Sequence, residues 1–437
     1  LVWMFFIFKK ARILNSTSGE SKDREMTEVS RDWYDSYMMP NYAPAQMIPV
    51  RGAGSRVWDQ QGREYIDFAG GIAVNSLGHA HPKLVEVLTD QATKLWHTAN
   101  VFATEPALKL AKQLTELTFA DKVFFSNSGA EANEAAMKLA RRYAYNHHGE
   151  QKDRIIAFEN AFHGRTLFTV TAGGQANYRE GFGPLPGAID HLPFNDIEAL
   201  ESAFDDNVCA VIVEPVQGEG GVIAAEGDFM SAIRRLCNRH DALMIVDEVQ
   251  SGVGRTGTLY AYEHFGIRPD ILTTAKGIGG GFPIAATLAT NEVAQSLQVG
   301  THGSTWGGNP MGCAVGSAVL DIVSDPETLA GVGRRRQALE EALMQIGLRY
   351  GVFDQVRGMG LLIGCVLTDA WKGKAREFLQ AAQSEGVFIL VAGANVLRLA
   401  PSLLISFDEI SQGMERLEKA VQAVCATNES SSTNKDG

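Results

Sequence analysis

In the middle of the chain, short apolar runs alternate with stretches in which apolar residues recur at steps of three and four. The apolar runs cover residues 123–125, 155–158, 209–213, 243–246 and 271–274. The stretches between them have the spacing of helices that bury one face. Strands that are apolar throughout are covered on both sides, and intervening helices make such strands parallel. The pattern therefore predicts an α/β fold whose large domain is a mostly parallel sheet flanked by helices.

The two ends of the chain have a different pattern. Residues 57–67 contain short strand-like runs around Gly62, which is typical of a hairpin. Towards the C-terminus the pattern predicts a charged helix, a short strand region at 361–367 and an amphipathic helix at 410–424. We expect these two ends to pack together as a smaller α+β domain.

The first and last residues are predicted to lie outside the fold. The chain opens with an apolar run whose positive charges follow it, which is the wrong side for a signal peptide. The run is also too short to cross a bilayer, so we expect no membrane association. The polar C-terminal end is predicted to be disordered. The predicted organisation is a vestigial or disordered leader at 1–25, small-domain segments at 26–80 and 326–425, a large domain at 81–325 and a disordered tail at 426–437.

Charge and cysteine content narrow the classes of partner and compartment. The net charge is -12, because 51 acidic residues outnumber 39 basic residues. Nucleic-acid binding needs a basic surface that neutralises phosphates, so we expect small-molecule ligands and no nucleic acid. The 5 cysteines are scattered along the chain without a CxxC pair. This pattern indicates reduced thiols and a cytoplasmic protein.

Two residues at the ends of predicted strands are candidates for catalysis. Lys276 closely follows the run at 271–274, and ligands of doubly wound sheets bind at the carboxyl ends of strands. A partly desolvated lysine amine at such a place can form an imine with an aldehyde. Asp247 ends the run at 243–246, where a buried carboxylate needs a partner such as a protonated ring nitrogen. A surface lysine and a structural salt bridge are the alternative interpretations.

A third candidate is the start of the long helix that follows the first run. Ser128, Gly129 and Ala130 open this helix, and the free backbone N–H groups of a helix N-terminus can bind phosphate. Ser128 and Glu131 also have the spacing of a capping box. The two interpretations are compatible, because a capped helix still presents N–H groups.

Two other motifs are weaker. Residues 252–257 match G-x-G-x-x-G, but they stand several residues beyond their strand and lack the acid that a dinucleotide site requires. A nicotinamide-dependent dehydrogenase is the alternative from another enzyme class, and it would depend on these glycines alone. His79 and His81 lack a companion pattern of ligands. We expect loop or helix-cap roles for these histidines and no metal site.

Taken together, these segments resemble the class III, or ornithine-type, aminotransferases of fold type I. The resemblance begins near Tyr42, continues to the last helix and keeps the order of the family's motifs. The stretches 42–45 and 48–52 are most similar to bacterial N-acetylornithine and N2-succinylornithine aminotransferases. The matching segments are 67–75, 127–133, 162–166, 214–221, 247–250, Lys276, 302–310 and 398–401.

The resemblance implies a homodimer with active sites at its interface and pyridoxal 5'-phosphate as the cofactor. Lys276 would bind the cofactor covalently and act as the catalytic base, and Asp247 would pair with the pyridinium nitrogen. The remaining cofactor contacts would be Ser128, Gly129 and Ala130 at the phosphate, Phe162 against the ring, Gln250 at the phenolic oxygen and Thr305 from the partner subunit.

Four further residues would bind substrates according to the same resemblance. Arg165 would bind one carboxylate bidentately, and Arg398 would bind the far carboxylate of a dicarboxylic acid. Glu219 would neutralise Arg398 while the amino donor is bound, and it would swing away when 2-oxoglutarate needs that arginine. Tyr42 would line the carboxylate end.

The expected reaction transfers the terminal (δ) amine of an N2-acylated ornithine, acetyl or succinyl, to 2-oxoglutarate. The products would be the N-acyl glutamate semialdehyde and glutamate, in arginine metabolism. The alternative keeps the cofactor and uses ornithine, 4-aminobutyrate or another ω-amine as donor. Trp306 stands where the family commonly has tyrosine, and Leu399 where it has phenylalanine, so the fine donor preference is open.

Overall fold

The computed structural model describes residues 29–433, with side chains up to residue 428. The chain divides into two compact units, and the first ends at Ile48. The predicted leader at 1–25 lies outside the described residues. In the first unit, helix α1 (Asp32–Tyr37) is preceded by Arg31, which pairs with Asp35 at 3.2 Å.

The second unit contains the other elements, which are numbered in chain order. Its helices are α2 (Gly70–Ala73), α3 (Pro82–Ala92), α4 (Glu105–Leu117), α5 (Gly129–His148), α6 (Leu167–Ala172), α7 (Ile197–Ala203), α8 (Gly227–Arg239), α9 (Asn291–Ala294), α10 (Pro310–Val323), α11 (Pro326–Tyr350), α12 (Ala375–Ser384) and α13 (Phe407–Thr433). Short 3₁₀ helices span Ala176–Tyr178, Ala261–Phe265, Lys276–Gly279 and Asp369–Trp371.

The strands of the second unit form three larger sheets and a small hairpin. They are β1 (Pro49–Ala53), β2 (Arg56–Asp59), β3 (Glu64–Asp67), β4 (Lys122–Ser126), β5 (Arg154–Phe158), β6 (Ile189–Leu192), β7 (Val208–Val213), β8 (Val216–Gln217), β9 (Ile223–Ala224), β10 (Leu243–Asp247), β11 (Ile271–Thr274), β12 (Ala285–Ala289), β13 (Phe353–Met359), β14 (Leu362–Leu367), β15 (Val387–Phe388), β16 (Leu390–Val391) and β17 (Val396–Leu399).

The largest sheet has seven strands in the order β4-β12-β11-β10-β7-β5-β6. Strand β10 is parallel to β11 and β7, and β5 is parallel to β7 and β6. Strand β12 is antiparallel to both of its neighbours, so β4 runs in the same direction as the parallel strands. The carboxyl ends of all strands except β12 therefore meet at one edge. This arrangement confirms the predicted α/β fold with a mostly parallel sheet.

Alternate residues of the central strands pack on opposite sides of this sheet. Leu243 and Ile245 of β10 belong to the core that contains α5, whereas Met244 and Val246 belong to the core that contains α8. The strand period of two explains why the run is apolar throughout, since both faces are covered. The same alternation places the side chain of Asp247, the next residue, on the side of α5.

The five predicted strands of this sheet are present, with ends that differ by at most one residue from β4, β5, β7, β10 and β11. Strands β6 and β12 were not predicted. The sequence of β6 is polar at two of its four positions because it is an edge strand. The sequence of β12 is mostly alanine, a weak strand former. Its small side chains let α5 approach, and Thr287 donates to the carbonyl of Ala132 at 2.8 Å.

The two other large sheets are built from the strands at the two ends of the chain. One has the order β1-β2-β3-β15, so N-terminal strands pair with a C-terminal strand. The other is antiparallel, in the order β13-β14-β17-β16. The predicted hairpin is formed by β2 and β3, and Gly62 in its turn has a φ of 79°. The predicted pairing of the two ends agrees with these sheets, while the domain boundaries at residues 80 and 325 stay a prediction.

The last helix is longer than the amphipathic pattern indicated. Helix α13 runs to Thr433, so it extends beyond residue 426, where the disordered tail was predicted to begin. Propagating an existing helix costs little once its first turns are packed, and polar residues can therefore continue it. Within residues 29–433, no helix combines the length and apolar content needed to cross a bilayer.

Candidate active site

A cavity of about 430 Å³ lies at the carboxyl edge of the seven-stranded sheet. Its walls come from the segments that follow β4, β5, β7, β10 and β11, together with the first turns of α5. Ligands of open α/β sheets bind at this edge because the strands end there and their loops diverge. Seven of the predicted cofactor and substrate residues line it: Ser128, Gly129, Ala130, Phe162, Arg165, Asp247 and Gln250, with Lys276 as the eighth.

Lys276 stands two residues beyond β11 and begins a 3₁₀ turn. Its φ of 47° is in the left-handed region, which L-residues occupy at a cost and which is often found at functional sites. Burial lowers the pKa of the Lys276 ammonium to about 8, although the charge of Glu219 acts in the opposite direction. A substantial fraction of the amine is therefore neutral near physiological pH, and a neutral amine can attack a carbonyl carbon.

Asp247 is held by hydrogen bonds on both of its carboxylate oxygens. Its Oδ2 accepts from Nδ1 of His163 and from Nδ2 of Asn133, each at 2.7 Å, and its Oδ1 accepts from the backbone N–H of Val249 at 3.0 Å. Thr273 donates to Oδ1 of Asn133 at 2.7 Å, which fixes the orientation of that amide. The Asp247 side chain is buried, so these donors replace the water that a carboxylate would otherwise bind.

Two further buried groups adjoin this carboxylate. Burial acts to lower the pKa of His163, but the hydrogen bond to Asp247 and the charges of Asp247 and Glu214 raise that pKa overall. Burial raises the pKa of Glu214 well above its usual range, and its Oε2 accepts from the backbone N–H of Phe162 at 3.0 Å. The cluster therefore favours a protonated His163 beside the Asp247 carboxylate, and burial favours the neutral form of Glu214.

The N-terminus of α5 closes another side of the cavity. The predicted capping box is present: the Ser128 hydroxyl accepts from the backbone N–H of Glu131, and the Glu131 carboxylate accepts from the backbone N–H of Ser128. The N–H groups of Gly129 and Ala130 are in the first turn, which has no intrahelical acceptors. A Cβ on Gly129 would lie 2.6 Å from Cγ1 of Val249, so glycine is required by this close approach.

Glu219 and Arg398 form an ion pair beyond the cavity wall. Oε1 of Glu219 lies 2.5 Å from Nη1 of Arg398, and the same nitrogen donates to the carbonyl of Gly218 at 3.0 Å and to Oε1 of Gln250 at 3.3 Å. Burial opposes ionisation of Glu219, but Arg398 keeps its pKa below the ordinary value. Gln250 lines the cavity and thus connects this pair with the cofactor end.

Arg165 is held by aromatic rings. Its guanidinium carbon lies 3.6 Å from the ring centroid of Tyr178 and 5.5 Å from that of Phe162. The rings of Phe162 and Tyr178 meet edge to face at 6.1 Å. Among the described residues Arg165 has no carboxylate partner, so its guanidinium can receive a carboxylate bidentately.

Thr305 does not line the cavity. Thr305 is exposed, next to Trp306, whose ring lies 4.6 Å from that of His97. Tyr42 belongs to the first unit, where it is exposed and its carbonyl accepts from the hydroxyl of Tyr34 at 3.4 Å. The predicted roles of Thr305 in the partner's site and of Tyr42 at the carboxylate end stay predictions.

Four residues of the site were not assigned from the sequence. Asn133, His163 and Glu214 lie inside the segments that carry the family resemblance, but their roles depend on contacts with Asp247 and Phe162 from other elements. Tyr178 ends a short 3₁₀ helix that no sequence pattern predicted. The position of Asn133, one helical turn after Gly129, is the signal that could have placed its side chain near the same cavity.

The weaker motifs have structural roles. Residues 252–257 lie in successive turns and do not begin an α-helix, unlike a dinucleotide-binding loop. Arg255 within them is buried and donates to the carbonyls of Leu361 and Pro401. His79 lies 2.7 Å from Asp67, and His81 precedes α3. Within residues 29–433, no cluster of three or more histidine, cysteine or acidic side chains could hold a metal ion.

The residues around the cavity fit pyridoxal phosphate. The cofactor has an aldehyde, a basic ring nitrogen and a phosphate, and the cavity presents an amine of lowered pKa, a buried carboxylate and a helix N-terminus. Gly129 and Ala130, in the first turn of that helix, both line the cavity. This combination defines the class of protein as a pyridoxal-phosphate-dependent transaminase.

The sequence profile described as Aminotransferase class-III matches residues 37–421. The chain therefore belongs to the class III aminotransferases.

The chain is similar to several named members of this family. The chain is 59% identical to an acetylornithine aminotransferase of Pseudomonas putida over 91% of this chain and 98% of that protein. It is 59% identical to a succinylornithine transaminase/acetylornithine aminotransferase of Pseudomonas aeruginosa over 90% of this chain and 97% of that protein. The crystal structure of N-acetylornithine aminotransferase from Stenotrophomonas maltophilia matches with a TM-score of 0.80 and 42% identity, over 91% of this chain and 99% of that chain.

Proposed function

We propose that this enzyme transfers the δ-amine of an N2-acylated ornithine to 2-oxoglutarate, in two half-reactions at one site. The products are the N-acyl glutamate semialdehyde and glutamate, and the pathway is arginine metabolism. The observation that carries the proposal is the ion pair of Glu219 with Arg398 at 2.5 Å, which Gln250 connects to the cavity that Arg165 lines. Relatives named for both acetylornithine and succinylornithine support the same donor class.

Pyridoxal phosphate, when bound, supplies an electron sink for the electrons of the substrate's C–H bond. Lys276 would hold it covalently, and Nζ of Lys276 would remove the proton from the substrate carbon that bears the amine. A pKa near 8 suits this exchange, because both protonation states are populated near neutral pH. The Asp247 carboxylate would pair with the protonated ring nitrogen, and hydrogen bonds from His163 and Asn133 orient that carboxylate.

Two arginines distinguish the substrates. Arg165 binds the α-carboxylate of the acylornithine, while Glu219 stays on Arg398 and cancels its charge. In the second half-reaction 2-oxoglutarate brings a carboxylate for each arginine, and Glu219 must leave Arg398. A quarter of the Glu219 side chain surface is exposed (24%), whereas Arg398 is nearly enclosed at 3%. The acid is therefore the partner that can move.

We further propose that the enzyme is a cytoplasmic homodimer with shared active sites. Thr305 and Trp306 are exposed, and Phe102 and Trp96 are exposed as well. Large exposed apolar side chains of this kind mark interaction surfaces. In this arrangement Thr305 reaches the phosphate of the partner's cofactor.

An absorbance titration tests the proposed reaction. The holoenzyme should lose its visible lysine-bound band when N-acetylornithine is added and regain it with 2-oxoglutarate. Steady-state rates should fit a ping-pong scheme. A band that ignores acetyl- and succinylornithine but responds to ornithine or 4-aminobutyrate would replace the proposed donor with another ω-amine. A band that responds to none of them would reject the transaminase assignment for these substrates.

A further inference from the structure

Two arginines and one glycine form a row across the sheet that contains Arg398. Arg357 of β13 is paired with Gly364 of β14, and Gly364 is paired with Arg398 of β17. Residues that oppose each other on neighbouring strands point to the same face of a sheet. Arg357 and Arg398 therefore emerge on one face, and the position between them has no side chain.

The loop that carries Glu219 lies over this row. The loop joins β8 to β9, which pair as a hairpin. Its first part is bound by Arg398, through the carbonyl of Gly218 and the carboxylate of Glu219. Its last part is bound by Arg357, whose Nε and Nη2 donate to the carbonyl of Gly221 at 3.0 and 2.7 Å. Each arginine of the row thus holds one end of the loop.

The residue after this carbonyl occupies the gap in the row. Val222 is fully buried, and a Cβ on Gly364 would lie 2.8 Å from Cβ of Val222. Val222 has a φ of 58°, which is a genuine outlier for a β-branched residue. Such a conformation persists only where the surroundings impose it. The contacts with Gly221 and Gly364 supply that constraint.

The contacts that Arg398 and Arg357 make with the loop differ in whether a substrate carboxylate can take the place of the loop group. Arg398 binds the carbonyl of Gly218 and, in addition, an acid that a substrate carboxylate can displace. Arg357 binds a backbone carbonyl with two parallel N–H groups, and among the described residues it has no acidic partner. A carbonyl cannot be exchanged for a substrate carboxylate without moving the chain. The contact at Gly221 therefore remains when the contact at Glu219 is lost.

We propose that Arg357 is a positioning residue that determines substrate discrimination by retaining the loop at residues 218–222 while Glu219 leaves Arg398. This proposal rests on the proposed two-substrate function. With the loop retained, Glu219 returns to Arg398 when an acylornithine enters. Without Arg357 the loop loses this anchor, Arg398 stays uncompensated in the donor half-reaction, and the dicarboxylate half-reaction is largely spared.

The test compares the two half-reactions of the holoenzyme separately. Stopped-flow absorbance gives the apparent second-order rate constant with N-acetylornithine and, independently, with glutamate. Arg357→Gln should lower the ratio of these constants (acetylornithine over glutamate) roughly tenfold, and Arg357→Lys should lower it less. Arg336→Gln is the matched control, because Arg336 donates to the carbonyls of Arg357 and Gly360 but does not touch the loop. Its ratio should stay within about twofold of the parent value.

A double variant separates positioning from general damage. In a Glu219→Gln background, Arg357→Gln should change the ratio by less than about twofold, because the group it positions is gone. Equal losses in both half-reactions, or the same tenfold change in that background, would overturn the proposal. If Arg357→Gln does not fold, Arg357→Lys is tested instead, by the change in the ratio and by the loss of that change in the Glu219→Gln background. If the parent enzyme ignores N-acetylornithine, the proposed donor fails, and the ratio is measured with the ω-amine that it accepts.

Discussion

At the cofactor end of the site, Asp247 receives hydrogen bonds from His163, Asn133 and Val249 at 2.7 to 3.0 Å and is buried. At the substrate end, Glu219 has one arginine partner at 2.5 Å and a side chain that is 24% exposed. The first carboxylate is held from three separate segments, which are helix α5, the segment after β5 and the turn after β10. The second must be released once in each cycle, and a single ion pair at a loop allows that. The comparison shows how one site can combine a permanent charge with an exchangeable one.

The largest expected effect comes from the residue that both half-reactions share. Lys276→Ala removes the covalent attachment and the proton carrier, so turnover should fall roughly 10⁴-fold or more with either substrate. The visible lysine-bound band should also be absent from the purified variant. Lys138→Ala, an exposed lysine outside the cavity, is the control. Substantial turnover by Lys276→Ala would contradict the assigned role.

Replacing the permanent charge should damage both half-reactions equally. Asp247→Asn keeps the size of the side chain but removes a buried, hydrogen-bonded charge, which is worth about 2–5 kcal/mol. At about 1.4 kcal/mol per tenfold change, both rate constants should drop roughly 30- to 3,000-fold. Single-turnover rates with acetylornithine and with glutamate provide the measurement. A loss of rate with only one of the two substrates would mean that Asp247, like Glu219, acts in one half-reaction only.

Replacing the exchangeable charge should separate the half-reactions. Glu219→Gln leaves Arg398 without its acid, so the rate constant for acetylornithine should fall roughly tenfold, as for a partly exposed ion pair. The rate constant for glutamate should change less than about threefold, because glutamate supplies its own carboxylate. Parallel losses with both substrates would show that Glu219 does not discriminate between them.

The smallest expected effect is on pH dependence. The pKa of Lys276 is lowered from 10.5 to about 8, so the neutral amine accumulates through pH 8 as pH rises. The rate at which cofactor-free enzyme recaptures pyridoxal phosphate should therefore rise up to about pH 8 and then level off. Glu219→Gln removes a charge that raises this pKa and should shift the midpoint to lower pH. A rate that keeps rising beyond pH 10 would mean that Lys276 is not desolvated.

The fold of the large domain was accessible from the chain because its signals are local. Each central strand is apolar throughout, and α5 is introduced by a capping box whose two members are three residues apart. Strand β12 was not predicted because alanine has no preference for strands. The small side chains are explained only by the close packing of α5 against this strand. The length of α13 was missed for a related reason, since an existing helix extends through residues that would not start one.

The residues of the candidate site also fall into those that local sequence signals predicted and those that only tertiary contacts define. Lys276, Asp247 and the start of α5 are each recognisable beside their own strand or helix, and the family resemblance assigns roles to Arg165, Glu219 and Arg398. His163 and Glu214 carried no such signal, because each is defined by the partner that it meets from another element. Asn133 had only its position one helical turn after Gly129 as a signal.

Periodicity, capping and turn chemistry depend on residues that are near neighbours in the chain. The amino-acid sequence alone therefore determined the α/β class, the place of Lys276 at the end of a strand and the capped start of α5. Burial, register and long-range contact exist only after the strands have paired. The lowered pKa of Lys276, the three donors on Asp247 and the row formed by Arg357, Gly364 and Arg398 were therefore decided by the tertiary structure. A shift of one residue in the pairing of β13, β14 and β17 would turn alternate side chains to the other face and remove that row.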